Sequence, residues 1–309
     1  MAAETCEAED IVHLQERTIQ PGATYTFSQR WVRSFDTPSF SLDASSGYAY
    51  VLEREHSRVQ AFKSADGSYI LSWGRRGSGK GETFQDPRDL AGTDDGSMIV
   101  LDKCGLKRFN PATGEVIKTW GSCGSGKEQF VDPVAMAADR YEKWLHVLDA
   151  GARTVRRYST DGELLGSWAT DRLEGVADIA VGADGGVYAA QPPSATVLKF
   201  DPAGRLLATF GSRGSGNGQF EAIAGIAADA ENNVFVLDSA LGRVSVFTEQ
   251  GDFLTSFGAR GSGDGQLARP TGIDVSQFGE AVFVVDDAKY VKRFELQEEQ
   301  GRAEAAAQA

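Results

Sequence analysis

The chain has few of the residues from which metal sites and disulfide frameworks are built. It contains 309 residues, and among them are only three cysteines, three methionines and three histidines. The cysteines, Cys6, Cys104 and Cys123, are odd in number and show no ligand-like spacing. Extracellular scaffolds depend on paired cysteines, so this pattern predicts reduced thiols in a cytosolic protein rather than a disulfide framework.

Long apolar segments are also missing. No run of about 18 apolar residues occurs, and the sequence therefore predicts no membrane span. Residues 1–20 are acidic and have no apolar core, which argues against a secretory signal or a mitochondrial presequence in that stretch. We therefore expect a cytoplasmic protein with no membrane association.

Glycine, by contrast, is abundant, with 36 residues, and much of it belongs to a repeat. One complete copy of the repeat spans residues 211–257, where a glycine-rich loop precedes four short apolar runs separated by turn residues. Such a unit predicts a four-stranded antiparallel meander. A single meander cannot bury both of its faces, so it requires further copies of itself.

Copies of this unit follow one another along most of the chain. The aromatic residue that ends the third run recurs at steps of 42 to 49 residues, as Phe62, Phe109, Tyr158, Phe200, Phe247 and Phe294. A period of this length with four strands per unit is typical of a β-propeller, in which each unit is a blade. The sequence therefore predicts an all-β fold, a six-bladed β-propeller of four-stranded antiparallel blades.

The repeats resemble the NHL repeat. The segments that carry the resemblance are GSRGSGNGQF with GIAAD, VFVLD and GRVSVF, GARGSGDGQLARPTGID with VFVVD, and GRRGSGKGETFQDP with MIVLD. The resemblance covers about residues 25–296 and is to the NHL domain of tripartite-motif proteins and to amidating-lyase-like propellers. Blade 4 departs from the pattern, with ATDRLEG in place of the glycine-rich loop and Gln191 in place of an aspartate. Blade 1 departs too, with only DTP before its first strand and Glu53 in place of that aspartate.

The two ends of the chain are expected to meet in the last blade. We interpret residues 1–24 as a flexible acidic arm, 25–296 as the propeller and 297–309 as a polar, alanine-rich tail. The last repeat has only three runs, while 30–35 forms an extra strand-like run before blade 1. The segment Arg30–Phe35 is therefore predicted to be the outer strand of blade 6, which closes the ring and removes open sheet edges. The alternative is a loose N-terminal hairpin.

The first strand of each blade is predicted to lie innermost, because its alanines and glycines fit the narrow space at the axis. Acidic residues at strand ends are assigned structural roles. Asp43, Asp139 and Asp229 follow first strands and are expected to hydrogen-bond turn backbone. Asp149 and Asp238 end second strands, and we expect them to pair with Arg153 and Arg243 and to organise loops.

The candidate binding surface is the face that carries the loops between second and third strands and the glycine-rich crossovers between blades. These are expected to be the longer connections, and binding sites concentrate on such loops. The candidate binding residues there are Arg58, Arg75, Arg76, Lys80, Arg153, Arg213 and Arg260. The GSGxG segments are not predicted to bind phosphate, because strands rather than helix N-termini follow them.

The favoured function is a non-enzymatic scaffold that binds a protein or peptide partner through this face, without a cofactor; this is what the resemblance to NHL domains implies. No RING, B-box or coiled-coil segment accompanies the repeats, so no ligase activity is expected. RNA binding, known for some NHL domains, is the first alternative. The net charge of −13 argues against it, because an acidic body lacks the phosphate-neutralising attraction on which such binding depends.

An enzyme is the second alternative, since the resemblance extends to metal-dependent propellers such as the amidating lyase. That chemistry needs several histidines on the channel. Here His13 lies in the arm and His146 lies within a strand, so a three-histidine site is not predicted, and no catalytic nucleophile is recognised. A carboxylate-lined calcium site at the channel mouth stays open as a form of this alternative.

Overall fold

The computed structural model describes residues 19–32, 38–43, 47–77, 83–93, 95–139, 143–287 and 289–297, with the backbone alone for 32 and 38–43. Within these ranges the longer strands form six antiparallel sheets of four strands each. Five sheets are built from consecutive strands, and the sixth takes its outer strand from the N-terminal end. The predicted six blades of four strands are confirmed.

From the axis outwards, the strands of each blade follow in chain order, except for the outer strand of blade 6. Blade 1 contains Pro38–Asp43, Tyr48–Glu53, Arg58–Lys63 and Tyr69–Trp73. Blade 2 contains Pro87–Gly92, Met98–Asp102, Gly105–Phe109 and Val116–Trp120. Blade 3 contains Pro133–Asp139, Trp144–Asp149, Thr154–Ser159 and Leu164–Ala169. Blade 4 contains Asp178–Val181, Val187–Gln191, Thr196–Phe200 and Leu206–Phe210. Blade 5 contains Ile223–Ala228, Val234–Asp238, Arg243–Phe247 and Phe253–Phe257. Blade 6 contains Pro270–Val275, Ala281–Asp286, Tyr290–Leu296 and Tyr25–Val32.

Burial within a blade depends on the distance from the axis. The second strand is buried on both faces, as in Val234–Asp238, where all five residues are buried. The fourth strand lies at the outside, and in Leu164–Ala169 half-buried and exposed side chains alternate. Neighbouring blades pack face to face against the second strand, which explains its continuous apolar sequence.

The first strands form a closed circle around the axis. Each contacts the first strand of the next blade, and the circle closes where Pro270–Val275 of blade 6 meets Pro38–Asp43 of blade 1. The first strands of blades 3 and 5 are the richest in alanine and glycine, as in Ile223–Ala228, with the sequence IAGIAA, whereas Pro38–Asp43 contains neither. The predicted innermost position of the first strand is confirmed.

Closure of the ring by the N-terminal segment is also confirmed, with different strand bounds. The outer strand of blade 6 is Tyr25–Val32, and it runs antiparallel to Tyr290–Leu296. It therefore begins before the predicted Arg30. Phe35, the predicted end of the strand, lies outside the described residues.

The aromatic residue that closes blade 6 is Trp31 rather than Phe35. Trp31 pairs with Val291, just as Trp73 pairs with Val59 in blade 1. The prediction placed this aromatic too late because it assumed that the strand runs up to blade 1. In the structure the strand ends at Val32, and the sequence between Val32 and Pro38 contains no glycine.

Residues just ahead of this strand lie against blade 5. Ile19 is only 2% exposed, and the Gly22 N–H donates to the Leu254 carbonyl at 2.8 Å. Tyr25 stacks on Phe257 with ring centroids 4.5 Å apart, and its hydroxyl donates to the Gly279 carbonyl at 2.6 Å. The end of the segment assigned to the arm thus seals the seam between blades 5 and 6.

The cysteine prediction is wrong. Cys104 and Cys123 form a disulfide, with their Cα atoms 4.8 Å apart. Cys104 lies in the turn between the second and third strands of blade 2, and Cys123 lies in the crossover to blade 3. Their separation of 19 residues spans the third and fourth strands of the blade, so only the folded blade brings them together. Cys6 lies outside the described residues.

Helical structure is minimal in the part of the chain that the structure describes. Asp171–Leu173 forms a single 3-10 turn in the crossover from blade 3 to blade 4, capped by the Thr170 side chain. No helix among these residues is long and apolar enough to cross a membrane.

Candidate functional site

The end of the ring that carries the crossovers and the loops between second and third strands is here called the top face. The prediction that both kinds of connection are long is only half correct. The loops between second and third strands contain at most four residues, and the one in blade 2, Lys103–Cys104, contains two. Only the crossovers are long.

Each glycine-rich crossover is a self-supporting loop, as the crossover from blade 4 to blade 5 shows. Ser212–Arg213 pairs in parallel with Gln219–Phe220, and the Gly216 N–H donates to Oε1 of Gln219 at 3.0 Å. Gly214 has a φ of 147°, and a Cβ at this position would overlap the Gln219 amide. Phe220 is fully buried beneath the loop. Because the loop uses its own backbone donors, its structure favours the structural role over phosphate binding.

Carboxylates at the ends of second strands anchor these loops. Asp238 accepts hydrogen bonds from four backbone N–H groups, those of Glu221, Ala222, Ala240 and Leu241. Asp149 accepts three in blade 3, from Val131, Asp132 and Ala152. Each carboxylate thus ties the incoming crossover to the loop that follows its own strand. The expected role in organising loops is confirmed.

The arginine partners expected for these two aspartates are wrong. Asp149 is paired with Arg156, whose Nη1 lies 2.8 Å from Oδ2, because Arg156 is a strand residue beside it. Arg153 lies in the loop and instead contacts Asp171 and Glu174 of the next crossover. Arg243 donates to the carbonyls of Gly216 and Gln219 rather than to Asp238.

These contacts keep Asp149 ionised. Burial by itself would raise the pKa of this carboxyl. The backbone N–H groups of Asp132 and Val131, together with the Arg156 guanidinium, outweigh burial and hold the pKa of Asp149 below its ordinary value. A carboxylate stabilised in this way is a poor general base, which agrees with a structural role.

Asp229 fulfils its expected role in a turn. Its carboxylate accepts hydrogen bonds from the N–H groups of Glu231 and Asn233, at 2.9 and 2.8 Å. Burial raises the pKa of Asp229 to about 6, even though the Asn233 donors favour the ionised form. Asp139 is buried at the end of the first strand of blade 3. The side chain of Asp43 lies outside the described residues.

The predicted binding residues do not converge on one site. Arg58 is paired with Glu53, and Arg153 with Asp171 and Glu174. Arg213 donates to the Pro193 carbonyl at 3.1 Å, and Arg260 donates to the Ala240 carbonyl at 3.2 Å.

Arg75 and Arg76 are adjacent and exposed in the crossover from blade 1 to blade 2. Lys80 lies outside the described residues. The predicted residues therefore lie around the rim of the top face, and most of them hold its loops in place.

The lining of the central channel is the feature that the sequence analysis missed. A cavity of about 560 Å³ lies on the axis and is lined mainly by the first strands. Three arginines lie among its lining residues at the top-face end: Arg54, Arg88 and Arg269. Nε of Arg54 donates to the Pro87 carbonyl at 3.1 Å, and Nε of Arg269 donates to Asp287 at 2.6 Å. Arg88 pairs with Asp86 and Asp132.

Three carboxylates project from alternate blades among the alanines and glycines of the channel wall. They are Asp89 of blade 2, Asp178 of blade 4 and Asp274 of blade 6. Asp89 accepts hydrogen bonds from its neighbour Leu90 at 2.9 Å and from Met136 of blade 3 at 2.8 Å. Asp178 repeats the arrangement with Ile179 and with Ile226 of blade 5. These side chains therefore bridge the first strands of neighbouring blades.

The channel makes two of these carboxyls hard to ionise. Burial raises the pKa of Asp89 to about 8, and the charge on Asp178 contributes to the rise. Burial likewise raises the pKa of Asp178 to about 7, against the hydrogen bonds from Ile226 and Ile179, and Asp274 adds to the rise. Perturbed carboxyls facing a cavity are typical of functional sites, but they also occur in structural networks. Both carboxyls here have such a structural role between blades.

The described residues contain no group of three or more histidine, cysteine, aspartate or glutamate side chains placed to hold a metal ion. His146 is 1% exposed within the second strand of blade 3, and it is not among the residues that line the channel. His56 lies in the top-face loop of blade 1, 4.0 Å from Glu53.

Comparison with known proteins agrees on the fold. A family model described as a 6-bladed beta-propeller matches residues 229–300, which span most of blades 5 and 6. The chain is a six-bladed β-propeller. No curated protein matches its sequence.

Among solved structures, the propeller is similar to a structural-genomics protein of unknown function from Bacteroides thetaiotaomicron. The TM-score is 0.64 at 16% identity, and the similarity covers 90% of this chain and 73% of the other. At this level of identity the similarity shows the fold alone.

A signal for the channel carboxylates is visible in the sequence once the first strands are known to face the axis. Asp89 and Asp178 interrupt runs of small and aliphatic residues, in PRDLAG and in ADIAVG. A charged residue inside an otherwise apolar inner strand indicates a side chain that faces the channel. That these residues from alternate blades face the same channel follows only from the closed ring.

Proposed function

We propose that this propeller is of the NHL type and acts as a non-enzymatic scaffold that binds a protein or peptide partner on its top face. The observation that carries the proposal is the cavity of about 560 Å³ on the axis, with Arg54, Arg88 and Arg269 among its lining at the top-face end. Pockets of this size, with a few polar groups on rigid loops, are typical binding sites.

The rigidity of the top face supports this proposal. Second-strand carboxylates such as Asp238 fix the crossovers, and Arg213 and Arg260 fix them again to neighbouring loops. A partner that docks on preformed loops loses less conformational freedom, which favours affinity. The NHL assignment rests on the glycine-rich crossovers and on the aspartates that close second strands.

The partner is expected to carry groups of both charge signs. The top-face end of the channel presents arginines beside Asp86, Asp132 and Asp287. The proposal includes a cytoplasmic location and no cofactor. RNA is disfavoured as the partner, because the arginines on the rim are dispersed and the chain carries a net charge of −13.

The test is a quantitative pull-down with matched variants. The mouth variant carries Arg54→Ser and Arg269→Ser, and the rim variant carries Arg75→Ser and Arg76→Ser. The control removes the same amount of charge from the opposite face, through Lys63→Ser and Arg205→Ser. A protein that is recovered with wild type and control, and is reduced at least about tenfold with the mouth or rim variant, supports the proposal.

Two results would contradict the proposal. One is equal recovery of every bound protein with all variants, which would place binding elsewhere. The other is nuclease-sensitive recovery of RNA that depends on the rim arginines, which would favour nucleic-acid binding. Thermal unfolding of each variant, measured in parallel, distinguishes lost contacts from lost folding.

A further inference from the structure

One position in three of the crossovers connects the loop to the blade that precedes it. It is the third residue of the crossover when the opening glycine is counted as the first. The residues at this position are Cys123, Arg213 and Arg260. Arg213 donates to the Pro193 carbonyl and Arg260 donates to the Ala240 carbonyl. Both carbonyls belong to the loop between the second and third strands of the preceding blade. Cys123 makes the corresponding connection covalently, to Cys104.

The short loop of blade 2 explains why the crossover from blade 2 to blade 3 is connected by a disulfide rather than by an arginine. Pro193 and Ala240 lie in four-residue loops, whereas the loop of blade 2 contains only Lys103 and Cys104. Lys103 adopts a φ of 56°, a conformation that a tight two-residue turn requires. The disulfide therefore replaces the arginine hydrogen bond where the loop is shortest.

The disulfide can be reached from solvent. Cys123 is exposed, whereas Cys104 is 9% exposed. Both cysteines line a second cavity of about 290 Å³ on the top face, together with Lys103, Lys107 and Trp120. A small thiol can approach Sγ of Cys123 through this opening. Accessible disulfides are the ones that exchange with thiols most readily.

We propose that the Cys104–Cys123 disulfide is a redox-operated clamp that holds the crossover to blade 3 on the top face. A dithiol reductant opens it. One thiolate of the reductant attacks Sγ of Cys123, the Cys104–Cys123 bond breaks, and Cys104 leaves as a thiolate that takes up a proton. The second thiol of the reductant then displaces Cys123 as a thiol. The reductant becomes a disulfide, and two electrons pass to the protein.

Release is confined to one segment. Phe130 is fully buried, and Asp149 accepts the N–H groups of Val131 and Asp132, so the end of the crossover stays attached when the disulfide opens. The freed part is residues 122–129. Its bonds include the parallel pairing of Ser122–Cys123 with Gln129–Phe130, Gly124 N–H to the Phe130 carbonyl and Gln129 N–H to the Gly126 carbonyl. The clamp acts on the rim of the top face rather than on the channel mouth. This inference goes beyond the proposed function, and its test needs no partner.

The crossover from blade 4 to blade 5 is a matched control within the same molecule. It has the same two internal bonds, Gly214 N–H to the Phe220 carbonyl and Gln219 N–H to the Gly216 carbonyl, but an arginine takes the place of the disulfide. Hydrogen exchange is measured in a Cys6→Ser background, which prevents exchange with the remaining cysteine. Reduction should accelerate exchange at Gly124 and Gln129 at least about tenfold and leave Gly214 and Gln219 unchanged, because local openings differ widely in free energy.

Variants distinguish release of the crossover by reduction from a general loss of stability. Cys123→Ser should show the fast exchange of the reduced protein with or without reductant. Arg213→Ser should accelerate exchange only in the blade 4 to blade 5 crossover, independently of reductant. The inference is overturned if the unreduced protein already has free thiols at Cys104 and Cys123. It is also overturned if reduction leaves the exchange of Gly124 and Gln129 unchanged.

Discussion

His146 shows what burial does to a single titratable side chain in this ring. It is 1% exposed in the second strand of blade 3, opposite Arg157 on the third strand. Neither ring nitrogen has a hydrogen-bond partner among the described residues. Burial lowers the pKa of His146 from 6.5 to about 4, and the charge of Arg157 adds to the effect. The imidazole is therefore a neutral core side chain in the folded protein.

This lowered pKa predicts a loss of stability in mild acid. The unfolded chain takes up a proton on His146 below pH 6.5, while the folded chain resists protonation until about pH 4. Stability is therefore complete above pH 6.5 and falls as the pH is lowered towards 4. Between pH 7.5 and pH 5 the contribution of this residue is a loss of roughly 2 kcal/mol.

Denaturant unfolding at both pH values measures this effect. In His146→Leu the loss between pH 7.5 and pH 5 should be smaller by roughly 2 kcal/mol than in wild type. Leu145→Val is the control, because it alters a fully buried neighbour in the same strand without removing a titratable group and should leave the pH dependence as it is. An identical pH dependence in His146→Leu and wild type would contradict the lowered pKa.

At the scale of the element, the recurring unit is a crossover tied to the end of a second strand. In blade 5 the tie is Asp238, which is fully buried and accepts four backbone N–H groups. In blade 4 Gln191 takes its place, and its amide donates to the carbonyls of Arg172 and Glu174 around the 3-10 turn. Blade 4 thus lacks both the aspartate and the glycine-rich crossover before it, as blade 1 does with Glu53, because the two features form one hydrogen-bonded unit.

Removal of the Asp238 carboxylate should lower the free energy of unfolding strongly, because the carboxylate is buried with its backbone donors. Asp238→Ala leaves four backbone N–H groups without their acceptor and should lower the free energy of unfolding by roughly 3 kcal/mol. Gln191→Ala is the matched control and should cost about 1 kcal/mol or less, because Gln191 donates near solvent. Denaturant unfolding compares the two variants. Equal losses would show that Asp238 does not anchor the loop.

Sequence reasoning predicted the role of the aspartates at second-strand ends correctly, but it did not predict which arginines they contact. The aspartates at second-strand ends were assigned to loop organisation, and the structure agrees. The arginines assigned to Asp149 and Asp238 were wrong, because proximity along the chain does not set the direction of a side chain. Arg153 is nearer to Asp149 in sequence, but Arg156 lies beside it across the strand pair. The Cys104–Cys123 bond was missed for the same reason.

At the scale of the whole molecule, the ring is held by one seam at which the two ends of the chain meet. Tyr25–Val32 pairs with Tyr290–Leu296 over its whole length. Trp31 is 5% exposed and packs against Phe62 of blade 1 and Phe283 of blade 6. Removal of this strand would expose the edge of blade 6 and remove the Trp31 packing between blades 6 and 1.

Deletion of residues 1–32 should therefore open the ring. Two buried aromatic side chains, Tyr25 and Trp31, are lost together, each worth about 3 kcal/mol or more, so the melting temperature should fall by at least about 10 °C. Thr26→Ala is the control and should change it by less than about 2 °C, because Thr26 is exposed in the same strand. Thermal unfolding followed by circular dichroism checks both. A melting temperature unchanged by the deletion would contradict closure by this strand.

The number of blades, the strands within each blade and the closure of the ring by the N-terminal segment were determined by the sequence itself. Each of these depends on local periodicity and on turn residues, which are repeated along the chain and can be counted. Only the tertiary structure decided which side chains meet across the ring. Asp89, Asp178 and Asp274 lie far apart in sequence. They face one cavity because the first strands that carry them surround the same axis in the closed ring. The angular position of a blade around the axis is a property of the closed ring, and no single repeat encodes it.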